Sequence, residues 1–383
     1  MEKYIAETKE QIKAPEAMQN TPMVMPIGSE QLKKLTEILQ KYKAGKAITE
    51  KRIIASENWW KLRNASEEQH QTEIVKKGFV SKSGWLHNVI VSKHADAMEA
   101  YPEPNILPRE EGDRGEARML SAIIPCVLEQ NNFEETYDDA MWQKNKSGTA
   151  IYKVVWDKNK LNGLGDISVE RVPSLNVYSE PGVADIQKSR YFFHTELCDK
   201  DILQERYPEQ LKDGLKGDAF VSSKFLYDDH IDTENKVTVI ECYYHKYIQG
   251  KNTLQYVKFV NDVVLYATEN DTEPQVDMLG QMKPPMALVG LYDHGKYPYV
   301  FDALYPIEGS PYGYGYVDIC QNPQTEIDML KTCFVKNARV GAIPRHFTRG
   351  DGTINEEEFL DLENPLVHVT GDMSENALRP VDH

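Results

Sequence analysis

The sequence is poor in cysteine, with five in 383 residues, and no two of them form a CxxC pair. Cys126, Cys198, Cys242, Cys320 and Cys333 are odd in number and widely scattered. That spacing argues against a disulfide framework or a cysteine zinc site, so no metal or cofactor is expected. Long apolar runs are missing as well. The best of them, Met119 to Leu128, is interrupted by Pro125 and falls short of the roughly 18 residues that a spanning helix needs. No membrane association is expected. The opening decapeptide MEKYIAETKE is charged from its second residue, unlike a secretory signal, so a soluble intracellular chain is expected.

Positive charge is also scarce. Lys and Arg number 44 against 60 Asp and Glu, a formal net charge of −16. Proteins that grip DNA through its phosphates carry a basic face, because their affinity comes from displaced counterions. A DNA-gripping protein is therefore disfavoured. An acidic surface repels phosphate, and DNA beside it would slide without being held.

Catalytic signatures are absent in turn. Without a GxxxxGK[ST] loop, an ATP-driven motor is disfavoured. Neither HExxH, nor a GxSxG elbow, nor a kinase signature occurs. Gly163-Leu-Gly165-Asp166 has half of a dinucleotide fingerprint but lacks the third glycine and the following helix, and reads as a hairpin turn. Two acidic clusters are the whole case for a metal-dependent nuclease: Glu134, Glu135, Asp138 and Asp139, and Glu356 to Glu358 with Asp361. Two-metal cleavage needs convergent carboxylates, whereas successive residues on a helix face different sides. A solvated helix face is the preferred reading. The ten histidines form no HxH or HxxxH pair. The chain is not expected to be an enzyme.

What remains is the composition of a folded chain, 40% hydrophobic and 10% aromatic with 21 tyrosines, long enough for two or three domains. Residues 1 to 28 read as a loose arm. Helices are expected from Ser29, over roughly Thr49 to Lys77, and from Trp85 to about Ala100. Arg114 to Lys146 reads as one long helix or two joined at Pro125. The period then changes from helical to alternating. Gly148 to Trp156 and Asp166 to Val172 form a hairpin around Gly163 and Gly165, and 189–195 is a further strand. A short helix follows from Asp199 to about Leu211. Strands are expected over Lys236–Tyr247, Leu254–Val260 and Val263–Ala267, with a tight turn at Asn261-Asp262. Residues 270 to 286 read as a loop or mobile edge. A last helix starts near Pro323, with Ile327, Leu330 and Phe334 on its packed side.

One charge feature stands apart. Lys331, Lys336, Arg339, Arg345 and Arg349 fall in a stretch of 19 residues that contains no acid. The first reading is a surface for ion pairs between subunits, and the second is phosphate contact. Lys331, Lys336, Arg339 and Arg345 are the candidate intersubunit or DNA-channel contacts.

Two runs carry a resemblance. The first is Gly148-Thr-Ala-Ile-Tyr-Lys-Val-Val-Trp-Asp157, then Gly163 to Val172, then Pro173-Ser-Leu-Asn-Val-Tyr-Ser-Glu-Pro181 and Asp185 to Tyr191. The second is Lys296 to Phe301, then Pro311-Tyr-Gly-Tyr-Gly315 and Gln324-Thr-Glu-Ile-Asp328. In order and spacing, over roughly residues 50 to 345, they resemble the portal, or head-to-tail connector, proteins of tailed double-stranded DNA bacteriophages. Glu180 stands where that family has the Asp of an Asp-Pro, and Asp328 where Asn is common.

The resemblance implies an α+β, portal-like fold with a helical and β-hairpin wing, a helical stem and a β-rich clip. Residues 1–84 would be an N-terminal arm and helices, 85–222 the wing-like domain, and 223–305 the candidate clip. Residues 306–345 would be the turn and the stem or channel helix, and 346–383 the start of a C-terminal region. Portals continue beyond this point, so the C-terminal part is expected to be truncated. The implied function is structural: a homo-oligomeric ring, usually of twelve subunits, at one capsid vertex of the virion, assembled in the host cytoplasm. DNA would be packaged and ejected through it without sequence-specific binding. Its partners would be the major capsid protein, the terminase motor and a tail adaptor. The alternatives are another ring or adaptor component of a virion without a DNA channel, and, further off, the metal-dependent nucleic-acid enzyme.

Overall fold

The structure, a computed structural model, describes residues 26–62, 82–99, 101–212, 235–276, 282–342, 346–348 and 378–380. The chain divides into two compact units, Met1–Lys61 with Val89–Ile319, and Leu62–Asn88 with Cys320–His383.

The larger unit opens with α1 (Ser29–Trp60), a single helix where the sequence suggests two segments meeting near Thr49. Leu32, Leu35, Leu39 and Tyr42 recur at helical spacing and are buried together. They pack on Tyr178, Phe193, Ile240, Cys242, Val257 and Phe259 of an antiparallel sheet. Its strands are β3 (Val177–Ser179), β4 (Tyr191–Asp199), β5 (Lys236–Ile248), β6 (Lys251–Val260) and β7 (Val263–Ala267), in chain order. A second, three-stranded sheet has the order β10-β1-β2, from β1 (Thr149–Asp157), β2 (Asp166–Arg171) and β10 (Tyr299–Ala303). Ile151, Tyr299, Tyr297 and Tyr312 meet Phe192, Tyr243 and Leu254 in a second core. The five-stranded sheet is thus covered on both faces. Val237 through Tyr243 is consequently buried at every position, where a half-exposed strand would alternate. β4 and β5 stand on either side of the sequence boundary at 222/223 and pair over nine residues, from Tyr191–Tyr244 to Asp199–Lys236. The two segments share this sheet.

The hairpin expected at 148–172 is β1–β2, in register from Tyr152–Arg171 to Asp157–Asp166. β6 and β7 turn at Asn261, whose φ is 50°. The chain enters β1 from the helices α3 (Arg114–Gln130) and α4 (Phe133–Ser147). The break between them is not at Pro125, which lies inside α3, but at Asn131-Asn132, where Asn132 turns left-handed at φ 48°. Asparagine tolerates that conformation because its short side chain bonds locally. The helix after β4 is α5 (Lys200–Arg206), shorter than expected. Within 270–286 the described residues form β8 (Gln275–Val276) paired with β9 (Met282–Lys283), and the start of α6 (Met286–Val289).

Between the two sheets lies Glu241, buried and charged. Its carboxylate receives Lys153 Nζ of β1 at 2.7 Å, Lys258 Nζ at 3.2 Å, His194 Nδ1 at 3.2 Å and the Tyr256 hydroxyl at 3.1 Å. Burial alone would raise its pKa. The hydrogen bond from His194 and the charges of Lys153, His194 and Lys258 outweigh that and hold it well below the usual carboxylate range.

In the smaller unit the first residues of α2 (Trp85–Glu99) pack with α7 (Tyr316–Ala342) from Cys320 onward. β11 (His346–Thr348) pairs with β12 (Leu378–Pro380).

Candidate assembly surface

The approach to α7 is built by glycines. Gly148, at φ 86°, closes α4, and a Cβ there would lie 2.2 Å from the Tyr314 carbonyl carbon. A Cβ at Gly315 would lie 2.5 Å from the Lys146 carbonyl oxygen. Side chains at either place would separate two backbones that here touch, which is why the Tyr-Gly-Tyr-Gly run stands before the helix. The turn is then pinned. Gly313 N–H donates to Thr149 Oγ1 at 2.8 Å, its carbonyl accepts from Arg52 Nη2 at 2.6 Å, and the Tyr312 hydroxyl donates to the Val177 carbonyl at 3.1 Å. Gly315 N–H donates to Asp318 at 3.0 Å, which starts the helix at Tyr316 rather than near Pro323. Pro323 lies inside α7.

Past Cys320 the helix has two unlike faces. Gln324, Asp328 and Thr332, four residues apart, are buried. Gln324 donates to the Ser83 carbonyl at 2.9 Å, and its Oε1 accepts the Leu86 N–H at 3.0 Å. Asp328 accepts the Ser83 N–H at 2.8 Å and the Ser83 hydroxyl at 2.5 Å. Thr332 turns back to the Asp328 carbonyl at 2.7 Å. Gln324 and Asp328 thus supply acceptors at the N-terminus of α2, whose first N–H groups have no partner within their own helix.

The apolar residues lie elsewhere on the helix. Leu330 is 62% exposed and Phe334 is 75% exposed, with Met329 and Ile319 exposed and Ile327 partly so. The sequence placed Ile327, Leu330 and Phe334 on the packed side, and the structure reverses this. The face that packs within the chain is the polar one, because it satisfies the end of α2. An exposed apolar stripe of this kind is unusual on a helix that packs within its own chain.

Lys331 and Lys336 are exposed, and neither has an ion-pair partner among the described residues. Arg339 is in α7, and Arg345 lies outside the described residues. Sequence reasoning missed the buried Gln324–Asp328–Thr332 stripe. Its spacing of four was legible, but polar residues read by default as solvent-facing.

The described acidic residues are not grouped as metal ligands would be. Asp138 bonds His94 Nε2 at 2.6 Å, while Asp139 lies 3.8 Å from Arg171 Nε. Among the described residues no group of three or more His, Cys, Asp or Glu is placed to hold a metal ion. Glu356 to Asp361 lie outside the described residues. No described helix is long and apolar enough to cross a membrane.

Residues 95–281 match the family model of the phage P22-like portal protein. The chain carries a phage portal domain. The match runs from the end of α2 through β8, and so takes in the β1–β2 hairpin and the whole five-stranded sheet. It stops before the glycine turn and α7. Among curated proteins none matches the chain. Portal proteins are structural components of the phage virion, and homo-oligomeric rings in general.

Proposed function

We propose that the chain is a portal subunit, one copy in a closed ring of identical chains, twelve by resemblance, at a single capsid vertex. Double-stranded DNA passes through the ring on packaging and ejection, and the capsid protein, terminase motor and tail adaptor attach around it. The observation that carries the reading is α7. Its polar face is satisfied within the chain, and its apolar stripe of Ile327, Leu330 and Phe334 is left open. In a cyclic assembly each copy offers one surface and receives another, and the stripe is suited to such a contact. We read α7 as the stem or channel helix and Lys331, Lys336 and Arg339 as cations repeated at one level of the ring. Pairing with a neighbour's acids is favoured over contact with DNA, because the net charge of −16 opposes a DNA-gripping design. Residues 85–222 remain the wing-like part. The shared sheet argues for folding 223–305 together with it rather than as a separate clip.

Negative-stain images of the purified chain test this reading. Rings with a central opening support it. Rings without an opening favour an adaptor that lacks a DNA channel.

A further inference from the structure

Between the end of α2 and the α3–α4 elbow lies an open groove of about 1060 Å³. Met98, Tyr101, Pro104, Pro125, Leu128 and Phe133 give it an apolar and aromatic lining. Tyr101, Phe133 and Tyr137 form a ring cluster there, with centroids 5.3 to 6.4 Å apart. Glu103, Glu129, Glu134, Glu135 and Asp138 line the same groove, and among the described residues no Lys or Arg does. Glu103, Glu129, Glu134 and Glu135 have no ion-pair partner among the described residues. Asp138 is the exception, held by His94 at 2.6 Å. His94 is 7% exposed, stacked on Trp142 at 3.7 Å, and its Nδ1 has no hydrogen-bond partner among the described residues. The negative potential is felt locally: after burial, the charge of Glu134 is the next cause raising the Tyr101 pKa.

We propose that this groove docks a lysine- or arginine-bearing segment of another protein, with one aromatic or aliphatic side chain of that segment seated on the Tyr101–Phe133 floor. Unpaired carboxylates above an apolar floor suit both halves of such a segment. A cation brought there meets opposite charge, and it also meets aromatic rings that attract it by their quadrupoles. DNA is excluded by sign. The apolar floor distinguishes the groove from an ordinary acidic surface, since a buried anchor supplies affinity that rim charges alone do not. The portal match names no segment of this kind.

The test uses the full chain and a fluorescent peptide of lysines and serines around one central phenylalanine. Binding is read by anisotropy. The peptide is expected to bind the unaltered chain. Glu134→Gln combined with Glu135→Gln should weaken it roughly tenfold, as should replacing the peptide's phenylalanine by serine. Glu205→Gln combined with Glu209→Gln, at exposed positions in and just beyond α5, should leave binding unchanged. All four substitutions are at exposed positions and preserve side-chain size, so folding is expected to survive. Equal weakening by the two pairs, indifference to the phenylalanine, or no binding at all would overturn the proposal, the first two because they report diffuse attraction to an acidic protein.

Discussion

Gln324 of α7 accepts the backbone N–H of Leu86, in the first turn of α2, at 3.0 Å across 238 residues of sequence. One helix thus caps another from the side, and Asp328 does the same for Ser83. Gln324→Ala should leave the buried Leu86 N–H unpaired and cost about 1–2 kcal/mol. Asp328→Asn keeps an acceptor for Ser83 and should cost less than Asp328→Ala. Denaturant unfolding followed by tryptophan fluorescence gives the order.

The glycine contact makes a second test. Gly148→Ala adds a Cβ at φ 86°, 2.2 Å from backbone that cannot move alone. Strain and overpacking together should cost roughly 2–5 kcal/mol. Gly163→Ala is the control, since it shares the positive φ but nothing lies within 4 Å of its Cβ. It should cost only the conformational part. Equal losses at the two positions would mean that the close approach to Tyr314 contributes nothing.

Glu241→Gln removes the charge that Lys153 and Lys258 share in a buried position. Two uncompensated cations should lower stability by roughly 3–5 kcal/mol. Because the carboxyl pKa is depressed on folding, its contribution is present above the ordinary carboxylate range and is lost as pH falls through the folded value. The unaltered protein should therefore lose stability more steeply than Glu241→Gln as the solution is acidified below about pH 4.

Lys46 has the opposite slope. On α1 it donates to the carbonyls of Ser174 and Val177 and lies over the rings of Tyr178 and Tyr312 at 4.6 and 5.2 Å. Burial lowers its pKa to about 7, the nearby Glu50 opposing. The unfolded chain keeps its proton up to about pH 10.5, so between pH 7 and that value the unfolded state binds more protons and stability rises with pH. The stability of the unaltered protein relative to Lys46→Met should increase from pH 7 to pH 9 in matched denaturant titrations. A flat difference would mean that the ammonium stays charged in its site.

Much of this was legible in residue order. Period-two alternation around Gly163 and Gly165 marked the β1–β2 hairpin, and Asn261-Asp262 marked the next turn, because both are settled by local backbone preference. β10 joins β1 from about 150 residues away, and no local pattern announces such a pairing. Pro125 and Pro323 misled for one reason. Proline is a poor interior helix residue, but it sits within α3 and α7 all the same, while the true break fell on the left-handed Asn132. At the candidate site the cations of α7 were legible as an acid-free stretch. Which face of the helix packs was not, since it depends on the unpaired N-terminus of α2.

Lys336→Glu combined with Arg339→Glu tests what the cations meet. If they pair with a neighbour's acids, like charges then face each other across a partly desolvated contact and rings should fail to form. This is the expected result. If they face DNA, rings should form and packaging should fail. Normal rings with normal packaging would contradict both roles.

The central claim is that copies of this chain close into a ring through the open stripe of α7, and light scattering coupled to size exclusion tests it most directly. At micromolar concentration the unaltered chain should run as one species whose mass is a multiple of 43.9 kDa. Leu330→Asp with Phe334→Asp, at positions the fold leaves exposed, should keep native secondary structure by circular dichroism and fall to the mass of a single chain. A single-chain mass for the unaltered protein, or an intact ring in the double variant, would contradict the account.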